Sequence, residues 1–212
     1  MAHFSMPGVN AAACDFGTGC GIIPFYWKRE NAGKVIYAVE IQQKAYNQLC
    51  RSVELNGIKN IIPIESDLRE LKGKIPFGSL DVIAMNPPYT GMNAGIISSS
   101  DTDKIARHET LCTLSDICLS ASKLLKFGGR LCMCIRPERL FEMTDAMQNA
   151  KIEPKRLRFV SQCDSRPPWL VLVEGKLGRK PGLVVEPELH IEQKDGSLSE
   201  EMSNIIGEYK KN

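Results

Sequence analysis

Val9-Asn-Ala-Ala-Ala-Cys-Asp15-Phe-Gly17-Thr-Gly19-Cys-Gly21 runs from a small apolar strand through a glycine cluster into a helical stretch lasting to about Glu30. Such a strand-to-helix turn lets a ligand approach the backbone closely, and the helix start offers unpaired N–H groups. A dinucleotide fingerprint needs a third glycine three residues after the second. That position is Ile22 counted from Gly17 and Gly19, and Pro24 counted from Gly19 and Gly21. The turn therefore does not read as a pyrophosphate cradle.

Outward from this turn, strands and helices alternate. Lys34 to Glu40, Asn60 to Glu65 and Leu80 to Asn86 read as buried strands, nearly continuous in apolar residues, and Gln42 to Leu55 reads as a helix ended by Asn56-Gly57. Leu111 to Leu125 has helical periodicity closed by Phe127-Gly128-Gly129. Arg130 to Ile135 follows as a strand, Arg139 to Ala150 as a helix, and Leu157 to Ser161 with Trp169 to Glu174 as a final hairpin around Arg166-Pro-Pro168. Apolar strands of this kind imply a sheet covered on both faces. The pattern predicts an α/β, doubly wound Rossmann-like sheet, mostly parallel with an antiparallel C-terminal strand. One domain is expected over residues 1–192, with 193–212 as a polar helical tail.

With 212 residues, 43% hydrophobic and 25% charged, the chain has the balance of an ordinary folded domain. No run approaches the roughly 18 consecutive apolar residues of a spanning helix, and MAHFSMPGVN lacks the features of a secretory leader. A cytoplasmic protein with no membrane partner is expected. The eight cysteines lie among apolar residues without a C-x-x-C pair, which reads as reduced core thiols and no metal site. Net charge is only +2, yet residues 104–182 carry 15 basic and 8 acidic groups. That block suits a polyanion, although a solvated basic face has the same composition.

Three carboxylates or amides fall at successive strand ends. Glu40, 25 residues after Asp15, is where a carboxylate can accept both ribose hydroxyls of a nucleoside. Asp67, after the third strand, could bond an adenine amine, and either acid alone could equally be a cap. The fourth strand ends in Asn86-Pro87-Pro88-Tyr89, where two prolines hold the backbone extended. The Asn86 side-chain oxygen and the Pro87 carbonyl can then accept both hydrogens of a planar exocyclic amine, while Tyr89 stacks on its ring.

In these residues the chain resembles the class I S-adenosylmethionine-dependent methyltransferases with an N-P-P-Y motif. It looks most like the bacterial valine-tRNA adenine-37 exocyclic-amine methyltransferases. The likeness runs from about Cys14 to Glu192 and takes in Asp15 to Gly21, Val39-Glu40, Asp67, Asn86 to Tyr89, Ala106-Arg107-His108-Glu109, Leu125 to Arg130, Arg136-Pro-Glu-Arg139-Leu140 and Pro154-Lys-Arg156-Leu-Arg158-Phe159. The first four stretches are shared with amino-methyltransferases acting on DNA adenine or on a release-factor glutamine. The family carries a few dozen residues before the glycine motif, of which His3-Phe4-Ser5-Met6 could be a remnant. Either the start is truncated or a shortened chain leaves its site more open, and a noncatalytic cofactor- or RNA-binding module is the further reading.

The resemblance implies S-adenosylmethionine as cofactor and the anticodon loop of a tRNA as partner. Asp15, with Gly17, Gly19 and Gly21 close by, would hold the methionine end; Glu40 would take the ribose, Asp67 the adenine, and Asn86 would border the methyl. Asn86, Pro87 and Tyr89 would carry the chemistry. Arg107, His108, Arg136, Arg139, Lys155, Arg156 and Arg158 are candidates for RNA contacts, and Thr90 to Lys104 reads as a mobile substrate loop. Oligomeric state has no signature in the sequence.

Overall fold

The computed structural model describes residues 1–87 and 112–207. Its centre is β1 (Ala12–Phe16), flanked by β2 (Val35–Glu40) and β4 (Leu80–Met85). β3 (Ile61–Glu65) lies outside β2, and β5 (Leu125–Ile135) lies outside β4. Beyond β5 come β7 (Leu170–Leu177), β6 (Ile152–Ser161) and the short β8 (Val184–Val185), giving the order β3-β2-β1-β4-β5-β7-β6-β8; β9 (Leu189–His190) also pairs with β6. All pairings are parallel except those of β7 with β5 and β6. The expected mostly parallel sheet with an antiparallel strand near the C-terminus is thus present. Strand order reverses between β1 and β4, which opens a crevice beyond their carboxyl ends.

Alternate residues of the central strands feed two apolar layers. Cys14, Phe16, Ile83, Met85, Leu131 and Met133 pack on one face with α3 (Leu114–Leu124) and α4 (Leu140–Asn149). Ala13, Val82, Ala84, Cys132 and Cys134 pack on the other with α1 (Ile22–Arg29) and Leu49 of α2 (Gln43–Leu55). This two-sided burial is why those strands read as unbroken apolar runs. α5 (Glu200–Ile206) lays Met202 and Ile205 against the second layer.

One boundary differs from the sequence reading. Phe127-Gly128-Gly129 does not close a helix; α3 ends at Leu124 and β5 begins at Leu125. A register shift lies between Leu80 and Val82, and a Cβ on Gly129 would lie 2.9 Å from the Leu80 carbonyl oxygen. The glycines thus serve a close strand–strand approach within an irregular stretch of β5.

A charged residue inside β7 has a structural task. Glu174 is 2% exposed, and its Oε2 accepts from Arg130 Nη1 at 2.9 Å and Arg156 Nη1 at 2.8 Å. The other arms of these guanidiniums donate to the carbonyls of Met6 (2.8 Å) and Phe4 (3.0 Å), and Arg156 stacks 3.9 Å from the Phe4 ring centroid. The N-terminal segment is therefore fastened to the sheet through one buried carboxylate. Glu174→Ala leaves two arginines without their central partner and is expected to cost about 3 kcal/mol in urea unfolding. Breaking the exposed Arg139–Glu142 pair with Arg139→Ala is expected to cost about 0.5 kcal/mol or less. Equal losses would refute the anchoring role of Glu174.

Candidate active site

At the end of β1 the chain makes three left-handed turns in five residues, at Gly17, Gly19 and Gly21. Gly21 has φ 92°, and a Cβ there would stand 2.6 Å from Leu49 Cδ1, so only glycine lets α1 start this close to α2. Gly19, with φ 57°, is different: nothing lies within 4 Å of where its Cβ would be, so the backbone borders open space. Its N–H donates to Glu40 Oε2 at 2.7 Å, and Glu40 Oε1 accepts from Gln42 N at 2.8 Å. Glu40, 4% exposed, thereby ties the glycine turn to the end of β2, and each oxygen keeps a second lone pair.

Asp15 is 1% exposed, and its Oδ1 is buried without a hydrogen-bond partner, as is Thr18 Oγ1. Burial, reinforced by the Glu40 charge, pushes the Asp15 carboxyl up to about 7. Beside it lies a cavity of about 350 Å³ whose walls include Asp15, Gly17, Thr18, Ile22 and Asn86. Asp15 and Asn86, far apart in sequence, thus face one space because β1 and β4 are neighbours in parallel register. Asn86 is exposed and Pro87 buried.

The remaining candidates separate. Asp67 follows β3 and holds Arg69, whose Nε and Nη2 reach its carboxylate at 3.0 and 2.5 Å. Arg136 lies just past β5, with Nη1 donating to the Trp169 carbonyl at 3.2 Å, and Arg139 pairs with Glu142 at 2.7 Å. Lys155 Nζ donates to the Lys180 carbonyl at 3.2 Å. Arg156 is committed to Glu174, Glu186 and Phe4, and Arg158 is forked onto Glu201 at 2.6 and 2.7 Å. Arg156 and Arg158 are thus engaged by internal acids, whereas Lys155 makes a backbone contact. Tyr89, Arg107, His108 and the stretch Thr90 to Lys104 lie outside the described residues.

Sequence reasoning missed part of the cavity wall. Met1, Ala2 and His3 line it on one side, and so do Tyr26 and Ile205. Tyr26 Oη donates to the Ile205 carbonyl at 2.8 Å, and Arg29 Nη1 to that of Ile206 at 2.9 Å. Segments from both ends of the sequence thus meet beside Asp15. No local pattern announces such a contact; a carboxylate within an apolar strand, Glu174, is the one signal of part of its anchoring.

Comparisons with known proteins agree with this geometry. Residues 6–95 match the TRM5/TYW2 methyltransferase domain. The fold is similar to a predicted O-methyltransferase from Agrobacterium tumefaciens, with a TM-score of 0.72 and 18% identity over 92% of this chain and 88% of that one. It also resembles TYW2 of M. jannaschii in complex with AdoMet, with a TM-score of 0.52 and 18% identity over 81% and 70% of the two chains. This is the S-adenosylmethionine-dependent methyltransferase fold. The chain is 28% identical over 123 residues to a tRNA1(Val) (adenine(37)-N6)-methyltransferase of Pseudoalteromonas translucida, a match covering 58% of this chain and 50% of that one. A second protein so named, from Dyadobacter fermentans, is 24% identical over 184 residues, 86% of this chain and 75% of its own. The match thus spans half the length of the first relative and three quarters of the second.

The site fits the cofactor of this fold. A buried carboxylate oxygen with no partner suits a cationic amino group, and the open backbone at Gly19 beside Glu40 suits a nucleoside. Without a cation, ionised Asp15 is costly. Its folded pKa lies above the unfolded value near 3.8, so the contribution of Asp15 to native stability is fully present below that value and is lost as pH rises toward about 7. Asp15→Asn is therefore expected to raise the stability of the cofactor-free protein at pH 8, by at most about 4 kcal/mol, while weakening S-adenosylmethionine binding. Chemical unfolding at pH 5 and pH 8 together with calorimetry checks both signs; a variant less stable at pH 8 would show that Asp15 has a stabilising partner already.

Proposed function

We propose that this chain transfers a methyl group from S-adenosylmethionine to the exocyclic amine of an adenine in tRNA, with adenine-37 of the anticodon loop of valine tRNA as the target. The observation that carries the reading is that Asp15 and Asn86 line one cavity. A cation-seeking carboxylate and a nucleophile-orienting amide are thereby brought to the same space. The two relatives bearing that activity in their names support the substrate.

When bound, the cofactor supplies a methyl carried on a sulfonium, already a good leaving group. The protein's part is positioning. Asp15, ionised, takes the cofactor's amino group; Glu40, with lone pairs left beyond Gly19 and Gln42, takes the ribose hydroxyls. Asp67, already forked by Arg69, lies after β3 for the adenine amine. The Asn86 side-chain oxygen and the Pro87 carbonyl would accept the two hydrogens of the target amine and so orient its lone pair, and Tyr89 would stack on the base. These acceptors would stabilise the positive charge that builds on the amine, which would end by losing one proton to solvent. The target adenine must leave its stack to enter, which favours an unpaired loop base over one in a duplex.

A second reading has its own support. The chain is 32% identical over 65 residues to a tRNA(Phe) (4-demethylwyosine(37)-C(7)) aminocarboxypropyltransferase of Methanocaldococcus jannaschii. A transfer of that group would label tRNA from carboxyl-labelled rather than methyl-labelled cofactor. DNA adenine and protein glutamine remain the other acceptors to assay.

Asn86→Ala removes an acceptor for the attacking amine. Methyl transfer to valine tRNA is expected to fall about 100-fold with cofactor affinity little changed, as for a contact realised in the transition state. Glu40→Ala should do the reverse in kind, weakening the cofactor first. Undiminished turnover in Asn86→Ala would reduce Asn-Pro-Pro-Tyr to a turn and remove the proposed chemistry.

A further inference from the structure

The carboxyl edge of the sheet extends past Asn86 to an aromatic residue that the cofactor site does not use. β5 ends at Ile135, which pairs with Val171 of the antiparallel β7, so Arg136 and Trp169 emerge side by side at that edge. β4 is the next strand, with Met85 level with Met133, and sheet strands lie about 4.8 Å apart. Trp169 therefore stands two strands across from β4 and about three residues beyond the level of Asn86, roughly 14 Å away. It is 39% exposed, and the Arg136 guanidinium sits 5.7 Å from its ring centroid. Phe77 and Phe127, also exposed, lie toward the opposite end of the sheet, before β4 and at the start of β5, and Phe127 is covered by Arg179 at 5.0 Å.

We propose that Trp169 and Arg136 form a base-stacking platform for single-stranded RNA next to the target pocket. This rests on the reading of the chain as a tRNA methyltransferase. An indole face accepts any base, and a neighbouring guanidinium serves either as a second stacking plane or as a phosphate contact. The platform borders the site on the side away from Glu40, because β5 and β7 lie beyond β4 while β2 lies beyond β1. A nucleotide neighbouring a flipped adenine would meet it while the cofactor occupies the other side.

The two tryptophans make the test direct. Trp27 is fully buried, with Nε1 donating to the Ala2 carbonyl at 3.0 Å, so quenching of indole fluorescence by RNA reports on Trp169. Full-length protein is titrated with valine tRNA, as wild type, Trp169→Ala, Trp169→Phe and Arg136→Ala, with S-adenosylmethionine affinity measured in parallel. Quenching is expected in the wild type and absent in both Trp169 variants. Trp169→Ala should weaken tRNA binding about 5- to 100-fold and Trp169→Phe much less, since phenylalanine still stacks. Arg136→Ala should weaken tRNA binding without changing cofactor affinity. Wild-type protein that binds and methylates tRNA, with Trp169→Ala binding it equally well, overturns the platform alone. Wild-type protein that neither binds nor methylates tRNA overturns the functional reading beneath it.

Discussion

The buried carboxylate of Asp15 sets the terms for the rest of the site. A charge removed from water without a partner is among the costliest features a fold can carry, and the ordinary response is neutralisation. Here the carboxyl is pushed up to about 7, close enough to neutrality that a cation arriving in the adjoining cavity can tip it to the ionised form. The position persists because β1 is the central strand, fixed by parallel neighbours on both sides, and its last residues have nowhere else to go.

Around that charge the architecture is economical. The left-handed glycine turn brings backbone rather than side chains to the crevice, and Glu40 fastens the turn to β2 while leaving lone pairs for a ligand. On the far side the Glu174 network holds Phe4 and Met6, and Tyr26 and Arg29 hold the carbonyls of α5. Met1, Ala2, His3 and Ile205 then complete the cavity wall. The N-terminal residues thus line the cavity together with the C-terminal helix.

Much of this was legible in the sequence. Two-sided burial makes the central strands continuous in apolar residues, and the glycine turn, Glu40 and Asn86 sit at strand ends where a doubly wound sheet places ligands. Phe127-Gly128-Gly129 misled because a glycine pair that follows a helical period resembles a cap, whereas here it serves an irregular strand pairing. The internal partners of Arg156 and Arg158 were illegible for another reason. A basic run on an exposed face and a basic run facing acids brought from β7, the segment after β6's hairpin and α5 have the same composition, and only tertiary contact separates them. The cavity wall was invisible because it joins residues about 200 apart by chain length.

The most direct test of this account is the proton balance of cofactor binding. Calorimetric titration with S-adenosylmethionine at pH 6, repeated in buffers of different ionisation enthalpy, counts the protons released per molecule bound. With Asp15 titrating near 7 and binding a cation only when ionised, the wild type should release close to one proton and Asp15→Asn none, the release fading above pH 8. Binding with no proton release in the wild type at pH 6 would contradict the claim that a buried, neutralised carboxyl awaits the cofactor's amino group.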